Sequence, residues 1–243
     1  MAEIGRERGE WVLPCPDAGE ARDLLRRFAP WRMLLKFENG PSALDFETYE
    51  PFNRWPLFKL DVILDAIETP ARGFRALDIG FNCGYNALEL ARRHDARVVG
   101  IDVVPKHLEV ARALAAHCGL DATFLEADAQ DYENPGMFDL VLHLGTLYHL
   151  PNPARSIEKA ARSLRPGGWF ALETIRHLGE DPALCRWIYG FNGDRTNFWA
   201  LGDQAIREMG LRAGLRDLRL IHETRPPVYE GRMSRAIWVG RRA

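Results

Sequence analysis

The sequence predicts an α/β fold, a mostly parallel sheet wound with helices on both faces. Three observations carry that expectation. From residue 75 onward, short apolar runs alternate with stretches of helical period. A glycine turn joins the first of those runs to the first helix. The flanking stretches, 1–74 and 175–202, hold Trp, Phe and Pro without sustained periodicity and are expected to cap that core.

In chain order, Pro51 to Pro56 reads as an ordered loop. Leu60, Ile63, Leu64 and Ile67 recur at the i, i+3, i+4, i+7 spacing of one helix face, which predicts a helix leading into the sheet. Arg75 to Ile79 then reads as a strand, Tyr85 to Arg93 as a helix, Arg97 to Ile101 as a strand and Lys106 to Cys118 as a helix. Ala122 to Leu125 and Phe138 to His143 are the next two strands, and Pro153 to Leu164 is a helix. The run Arg165-Pro166-Gly167-Gly168 predicts a turn before a strand at Trp169 to Glu173. A helix from Asp203 to Ala213, closed by Gly214, precedes two late strands, Leu218 to His222 and Ala236 to Gly240, around a Pro-Pro turn. Residues 1–74 are thus an N-terminal helical cap, and 75–243 the main domain with a lid insertion at about 175–202.

A length of 243 residues suits one large domain. Apolar residues make up 47% and charged residues 27%, ordinary for a globular chain. The net charge of −2 provides no global attraction to nucleic acid or an anionic membrane. Cys15, Cys83, Cys118 and Cys185 lie far apart with no CxxC, so neither a metal site nor a disulfide framework is expected. No apolar run approaches a membrane span and the N-terminal residues have mixed charge, so the expected location is the cytoplasm.

The most informative stretch is Ala76-Leu77-Asp78-Ile79-Gly80-Phe81-Asn82-Cys83-Gly84-Tyr85, a strand running into a glycine turn and then a helix. Gly80 and Gly84 bring backbone close to a ligand, and the helix amides behind them favour an anionic group. Such a loop could hold NAD, a nucleotide or S-adenosylmethionine. Asp78 discriminates: its carboxylate would repel a pyrophosphate but suits an ammonium and a sulfonium. Asn82 also stands where the dinucleotide fingerprint needs its middle glycine.

Asp102 follows Gly80 by 22 residues, at the end of the second strand, where it can accept from both ribose hydroxyls of an adenosine. Val103 and Val104 offer apolar faces to an adenine, and Asp128, after the third strand, can accept from its amino group. Each acid alone also reads as a helix cap. Three at successive strand ends, beside a glycine turn, point to a ligand crevice.

The ordered set Leu77-Asp78-x-Gly80-x-x-x-Gly84, Gly100-Ile101-Asp102, Glu126-x-Asp128, Phe138-Asp139-Leu140-Val141 and Leu164-Arg165-Pro166-Gly167-Gly168 resembles the class I S-adenosylmethionine-dependent methyltransferases. That resemblance implies a Rossmann-like, seven-stranded sheet with an antiparallel last strand. It also implies S-adenosylmethionine as cofactor, held by Asp78, Gly80, Phe81, Asn82, Gly84, Asp102, Val103, Asp128, Ala129 and Leu144. The segments Asp78 to Tyr85 and Leu144-Gly145-Thr146-Leu147-Tyr148-His149-Leu150 are further similar to the branch that holds the tRNA wobble-uridine carboxymethyltransferases and their small-molecule relatives. Arg54-Trp55, Lys59 and Asn197-x-Trp199 fit that branch loosely.

Methyl transfer is an in-line displacement that needs alignment, water exclusion and, for an acidic acceptor, a proton acceptor, but no metal. His149, with Tyr148 beside it, is the expected catalytic pair, because imidazole titrates near neutrality. Arg54, Trp55 and Trp199 are the expected substrate contacts, while Trp187, Tyr189 and Phe198 could extend an aromatic wall over the acceptor. Arg186 and Arg195, like Arg54, could hold an acceptor carboxylate or phosphate. The expected function is methyl transfer to an O or N nucleophile of a small molecule. The rivals are a tRNA-modifying transferase, against which the net charge counts, and a non-catalytic adenosyl-ligand binder.

Overall fold

The computed structural model describes residues 10–46, 55–223 and 232–243; Arg54, the Pro-Pro turn and residues 51–54 of the loop expected from Pro51 to Pro56 lie outside them, while Trp55 and Pro56 of that loop belong to a helix. The chain begins with β1 (Glu10–Leu13), α1 (Ala18–Arg27) and β2 (Leu34–Phe37). Strands β1 and β2 pair in parallel, from Glu10 opposite Leu34 to Leu13 opposite Phe37, so the expected helical cap is strand, helix, strand. Trp11, Leu13, Leu35 and Phe37 all point inward, a period of two too short in four-residue strands to stand out in sequence. Asp17 caps α1 by accepting from the Glu20 N–H at 2.8 Å.

The remaining elements are α2 (Trp55–Ala66), β3 (Arg75–Ile79), α3 (Tyr85–His94), β4 (Arg97–Asp102), α4 (Pro105–Cys118), β5 (Ala122–Glu126), β6 (Phe138–Leu144), α5 (Pro153–Ser163), β7 (Leu164–His177), β8 (Arg186–Trp187), β9 (Trp199–Ala200), α6 (Asp203–Arg212), β10 (Leu215–Glu223) and β11 (Met233–Arg242). In β7 the turn expected at Arg165 to Gly168 is an irregularity inside a strand. Gly167 takes φ +76°, and the pairing with β6 slips between Phe138 and Leu140. The same strand continues to His177, so the first residues of the expected lid belong to the sheet.

Seven strands form that sheet in the order β10-β11-β7-β6-β3-β4-β5. Strands β3 to β7 run parallel, and β11, last in the chain, runs antiparallel between β7 and β10. Alternation along the strands feeds two cores. Ala76, Leu140, Leu142 and Ile237 face α2, α3 and α4, whereas Leu77, Val141 and Trp238 face α5 and α6.

The N-terminal segment joins the first of these cores. Trp11 meets Tyr85 edge to face, with centroids 5.4 Å apart. His117 of α4 lies 2.9 Å from the Glu20 carboxylate, and Arg27 pairs with Glu109. Residues 10–46 therefore share their apolar interior with the main domain. Trp11→Ala is expected to cost about 3–5 kcal/mol, the usual range for a buried aromatic, and to lower one cooperative unfolding transition. Urea unfolding followed by circular dichroism measures this. An early separate transition would show instead that the segment folds as its own unit.

Candidate active site

The winding of the sheet reverses at β3: β4 and β5 extend to one side, β6 and β7 to the other. Such a switch point leaves a crevice outside the carboxyl ends of the two strands. Beyond β3 the chain turns through Gly80 at φ +70°, Asn82 at φ +55° and Gly84 at φ +88°, a run that asparagine and glycine tolerate best. A Cβ on Gly80 would lie 2.0 Å from Thr146 Oγ1. That hydroxyl donates to the Ile79 carbonyl at 3.1 Å and clamps the chain beyond β6 onto the end of β3.

Asp78 is buried near the carboxyl end of β3. It accepts from the Ala87 N–H, while its Oδ2 is buried without a hydrogen-bond partner. Burial pushes its carboxyl up to about 7, against the Ala87 N–H and with help from the Asp102 charge. Asp102 lies at the end of β4 and accepts from the Val104 N–H at 2.9 Å and the Asn82 N–H at 3.1 Å, with His107 Nδ1 3.1 Å away. Burial alone would raise its pKa, but these bonds outweigh burial and hold it below the usual carboxylate range. Beside it Val103 is 59% exposed. Asp128 is exposed and accepts from the Gln130 N–H at 2.7 Å, closing a local turn over the buried Ala129.

A cavity of about 510 Å³ opens in front of the glycine turn. Gly80, Phe81, Asn82, Cys83 and Tyr85 line one side, and Leu144, Gly145 and Tyr148 another. Phe28, Trp31, Arg32 and Met33 bring the N-terminal segment to its wall, and His107 and Lys106 reach it from α4. Burial pushes the Cys83 thiol up to about 12, so it stays protonated.

Lys59 and Arg235 also line it. Both bond Glu173, a fully buried carboxylate in β7: Lys59 Nζ donates at 2.8 Å, and Arg235 donates through Nε at 2.5 Å and Nη2 at 3.0 Å. Arg235 Nη2 also donates to the Tyr148 hydroxyl at 2.9 Å. Burial would raise the Glu173 pKa, but the two cations overcome it and hold the carboxyl well below its ordinary value.

Of the expected site residues, Gly80, Phe81, Asn82, Leu144 and Tyr148 line the cavity. Asp78 and Gly84 lie behind the turn, Asp102 and Val103 at its flank, and Asp128 and Ala129 beyond the lining. His149 is outside the lining, its Nδ1 2.8 Å from Thr196 Oγ1 and its ring against Tyr148. Burial lowers its pKa, so it is neutral at neutral pH. Trp199 donates to the Pro151 carbonyl and lines a separate hollow with Cys185 and Met209. Trp187, Tyr189 and Phe198 stack on one another, Trp187 and Phe198 at 5.3 Å, instead of walling the cavity. Arg186 and Arg195 are exposed away from it, and Trp55 opens α2.

Sequence reasoning gave no role to Glu173 or Arg235 and left Lys59 unassigned. A signal existed: Glu173 interrupts the apolar run Trp169 to Ile175 in what must be a central strand, and a carboxylate there demands counter-charge.

Residues 76–168 match a family model described as a methyltransferase domain. This stretch belongs to that family. The chain is 38% identical over 109 residues to a ubiquinone biosynthesis O-methyltransferase of Paracidovorax citrulli, covering 44% of this chain and 45% of the relative. It is 34% identical over 124 residues to a tRNA U34 carboxymethyltransferase of Syntrophotalea carbinolica, covering 48% and 37% respectively. The chain thus spans less than half the length of either relative. The N-terminal domain of EvdMO1, solved in the presence of SAH and D-fucose, shares the fold at a TM-score of 0.73 and 20% identity, covering 94% of this chain and 98% of that one. Among the described residues no helix is long and apolar enough to cross a membrane, and no cluster of metal-ligating side chains occurs.

Asp78 holds its proton more tightly when the chain is folded, at about 7 against an ordinary 3.8. Its contribution to stability is full below the lower value and is lost as pH rises toward the upper one. Asp78→Asn is therefore expected to gain on the wild type across that window by up to about 1.4 kcal/mol per pH unit, and by nothing further above it. Urea midpoints of the two proteins over this range supply the measurement. A pH-independent difference would show that Asp78 titrates normally.

Proposed function

We propose that the chain is an S-adenosylmethionine-dependent methyltransferase acting on an O or N nucleophile of a small-molecule acceptor. The observation that carries this reading is the pair of carboxylates, Asp78 and Asp102, at the ends of adjacent strands beside the glycine turn. Both would repel a pyrophosphate. An ammonium would answer the unpartnered Oδ2 of Asp78, and ribose hydroxyls would donate to Asp102. The exposed Val103 supplies an apolar face for an adenine. The family match and the relatives named for methyl and carboxymethyl transfer support the reaction class.

When bound, the cofactor's sulfonium supplies an electrophilic carbon. The chain's own work is to orient and to exclude water. The N-terminal wall of Phe28, Trp31 and Met33 covers the cavity, and the Tyr148 hydroxyl, fixed by Arg235, positions the acceptor. His149, its Nδ1 held at Thr196 and its ring outside the lining, supports Tyr148 and does not take a proton from the acceptor.

A second reading has an observation of its own. Lys59 and Arg235 both line the cavity as cations held by Glu173, which suits an anionic group on the acceptor or on the transferred carbon. In the latter case the reaction is carboxymethyl transfer and the acceptor a tRNA.

Incubating the protein with labelled donor, ordinary or carboxylated, against a metabolite extract and against total tRNA separates these readings. Label moving from the ordinary donor to a metabolite supports the first, and label moving from the carboxylated donor to tRNA supports the second. Calorimetry showing S-adenosylhomocysteine bound without any product would reduce the protein to an adenosyl-ligand binder, and NAD bound in preference would overturn both. Asp102→Ala is expected to weaken S-adenosylhomocysteine by about 1–3 kcal/mol. His149→Ala is expected to keep turnover far above the loss of about 10²- to 10⁴-fold that follows removal of a general base.

A further inference from the structure

A carboxylate without solvent in the middle of a sheet is costly unless its oxygens are fully engaged. Glu173 meets that condition through two residues distant in sequence, Lys59 from α2 and Arg235 from β11. Both partners line the cavity, whereas Glu173 itself does not. We propose that Glu173 is a positioning residue that keeps Lys59 charged and Arg235 aimed into the cavity, so that both present positive charge at the cavity wall. The use of that charge in group transfer rests on the reading above; its existence does not.

Arg235 grips the carboxylate with the fork of Nε and Nη2, a geometry that fixes the guanidinium plane. That plane lies 5.0 Å from the Tyr148 ring centroid, and the same Nη2 holds the Tyr148 hydroxyl. Gly145 passes directly over the group: a Cβ there would stand 3.3 Å from Glu173 Oε2 and 3.4 Å from Arg235 Nη2.

Lys59 is the member most sensitive to its surroundings. Burial pushes it down to about 8, Glu173 pulls it up, and Arg235 pushes it further down. Among the described residues, the titratable groups packed around this pair include Glu173 from β7, Arg235 from β11, and Tyr148 and His149 from the turn after β6. The Glu173 carboxylate offsets burial and Arg235. Without it, Lys59 would face a like charge from a buried wall and lose its proton near neutral pH.

The four lysines of the chain, 36, 59, 106 and 159, make a direct test practical. Each yields one ε-carbon NMR signal that follows protonation, and Lys59→Arg assigns the Lys59 signal by deleting it. The wild-type midpoint is expected at about 8. In Glu173→Gln it is expected about 1–3 pH units lower, and an unmoved midpoint overturns the proposal. If that variant does not fold, Glu173→Asp, which draws the charge back by one methylene, must also lower the midpoint, and an unmoved value there is equally decisive. Calorimetry with S-adenosylhomocysteine on the same samples separates the two claims. A lowered midpoint in a protein whose wild type does not bind it keeps Glu173 in its role and removes the donor reading. Tight binding with an unmoved midpoint does the reverse.

Discussion

A parallel sheet that reverses its winding sends the chain leaving neighbouring strands to opposite faces, and the space between those exits cannot be filled by either helix. Here β3 hands on to α3 in one core and β6 leads toward α5 in the other. The width of the gap is set by small things. The hydroxyl of Thr146 reaches back to the Ile79 carbonyl, and Gly80 has no side chain to obstruct it. Backbone therefore sets the width of the opening, and side chains from α4, α2, β11 and the N-terminal segment join Tyr148 and the residues of the glycine turn around it.

Two carboxylates near this opening are equally buried and have opposite fates. Asp78 has one backbone donor and an unanswered oxygen, and burial moves it up toward neutrality. Glu173 is enclosed just as completely, yet two cations hold it ionised. Depth does not decide between them; the number and charge of partners does. Neither arrangement is one that stability alone would favour, since apolar residues of similar shape commonly replace a buried ion group at no loss. Their position around one cavity is better explained by what they do for a ligand.

The fold was legible because its signals are local. The run from Arg75 to Tyr85 contains a strand, the turn and the first residue of a helix within eleven residues, and the structure keeps those bounds nearly unchanged. The two-sided burial of the sheet showed as continuous apolar runs, and the helix face of Leu60 and Ile63 showed as a stripe. What escaped was nonlocal. β1 and β2 are four residues each and make sense only when paired across a helix. Glu173, Lys59 and Arg235 form one group from three elements, and no spacing rule connects positions separated by 62 and 114 residues. The lid aromatics misled for a related reason, because composition shows how much area a ring can bury but not against what.

The place of β11 in the sheet bears on the order in which this protein can be completed. It is the last strand in the chain, yet it sits inside the sheet between β7 and β10 and is paired on both sides. A chain emerging from the ribosome can assemble the five parallel strands early, because each pairs with elements already made. Until β11 slides into its slot, β7 keeps an open edge, and Glu173 lacks the Arg235 cation. The nascent domain thus passes through a stage with a nearly complete scaffold and an unfinished charge cluster. Closure of the sheet and completion of the cavity's polarity are then one event, timed by the final strand.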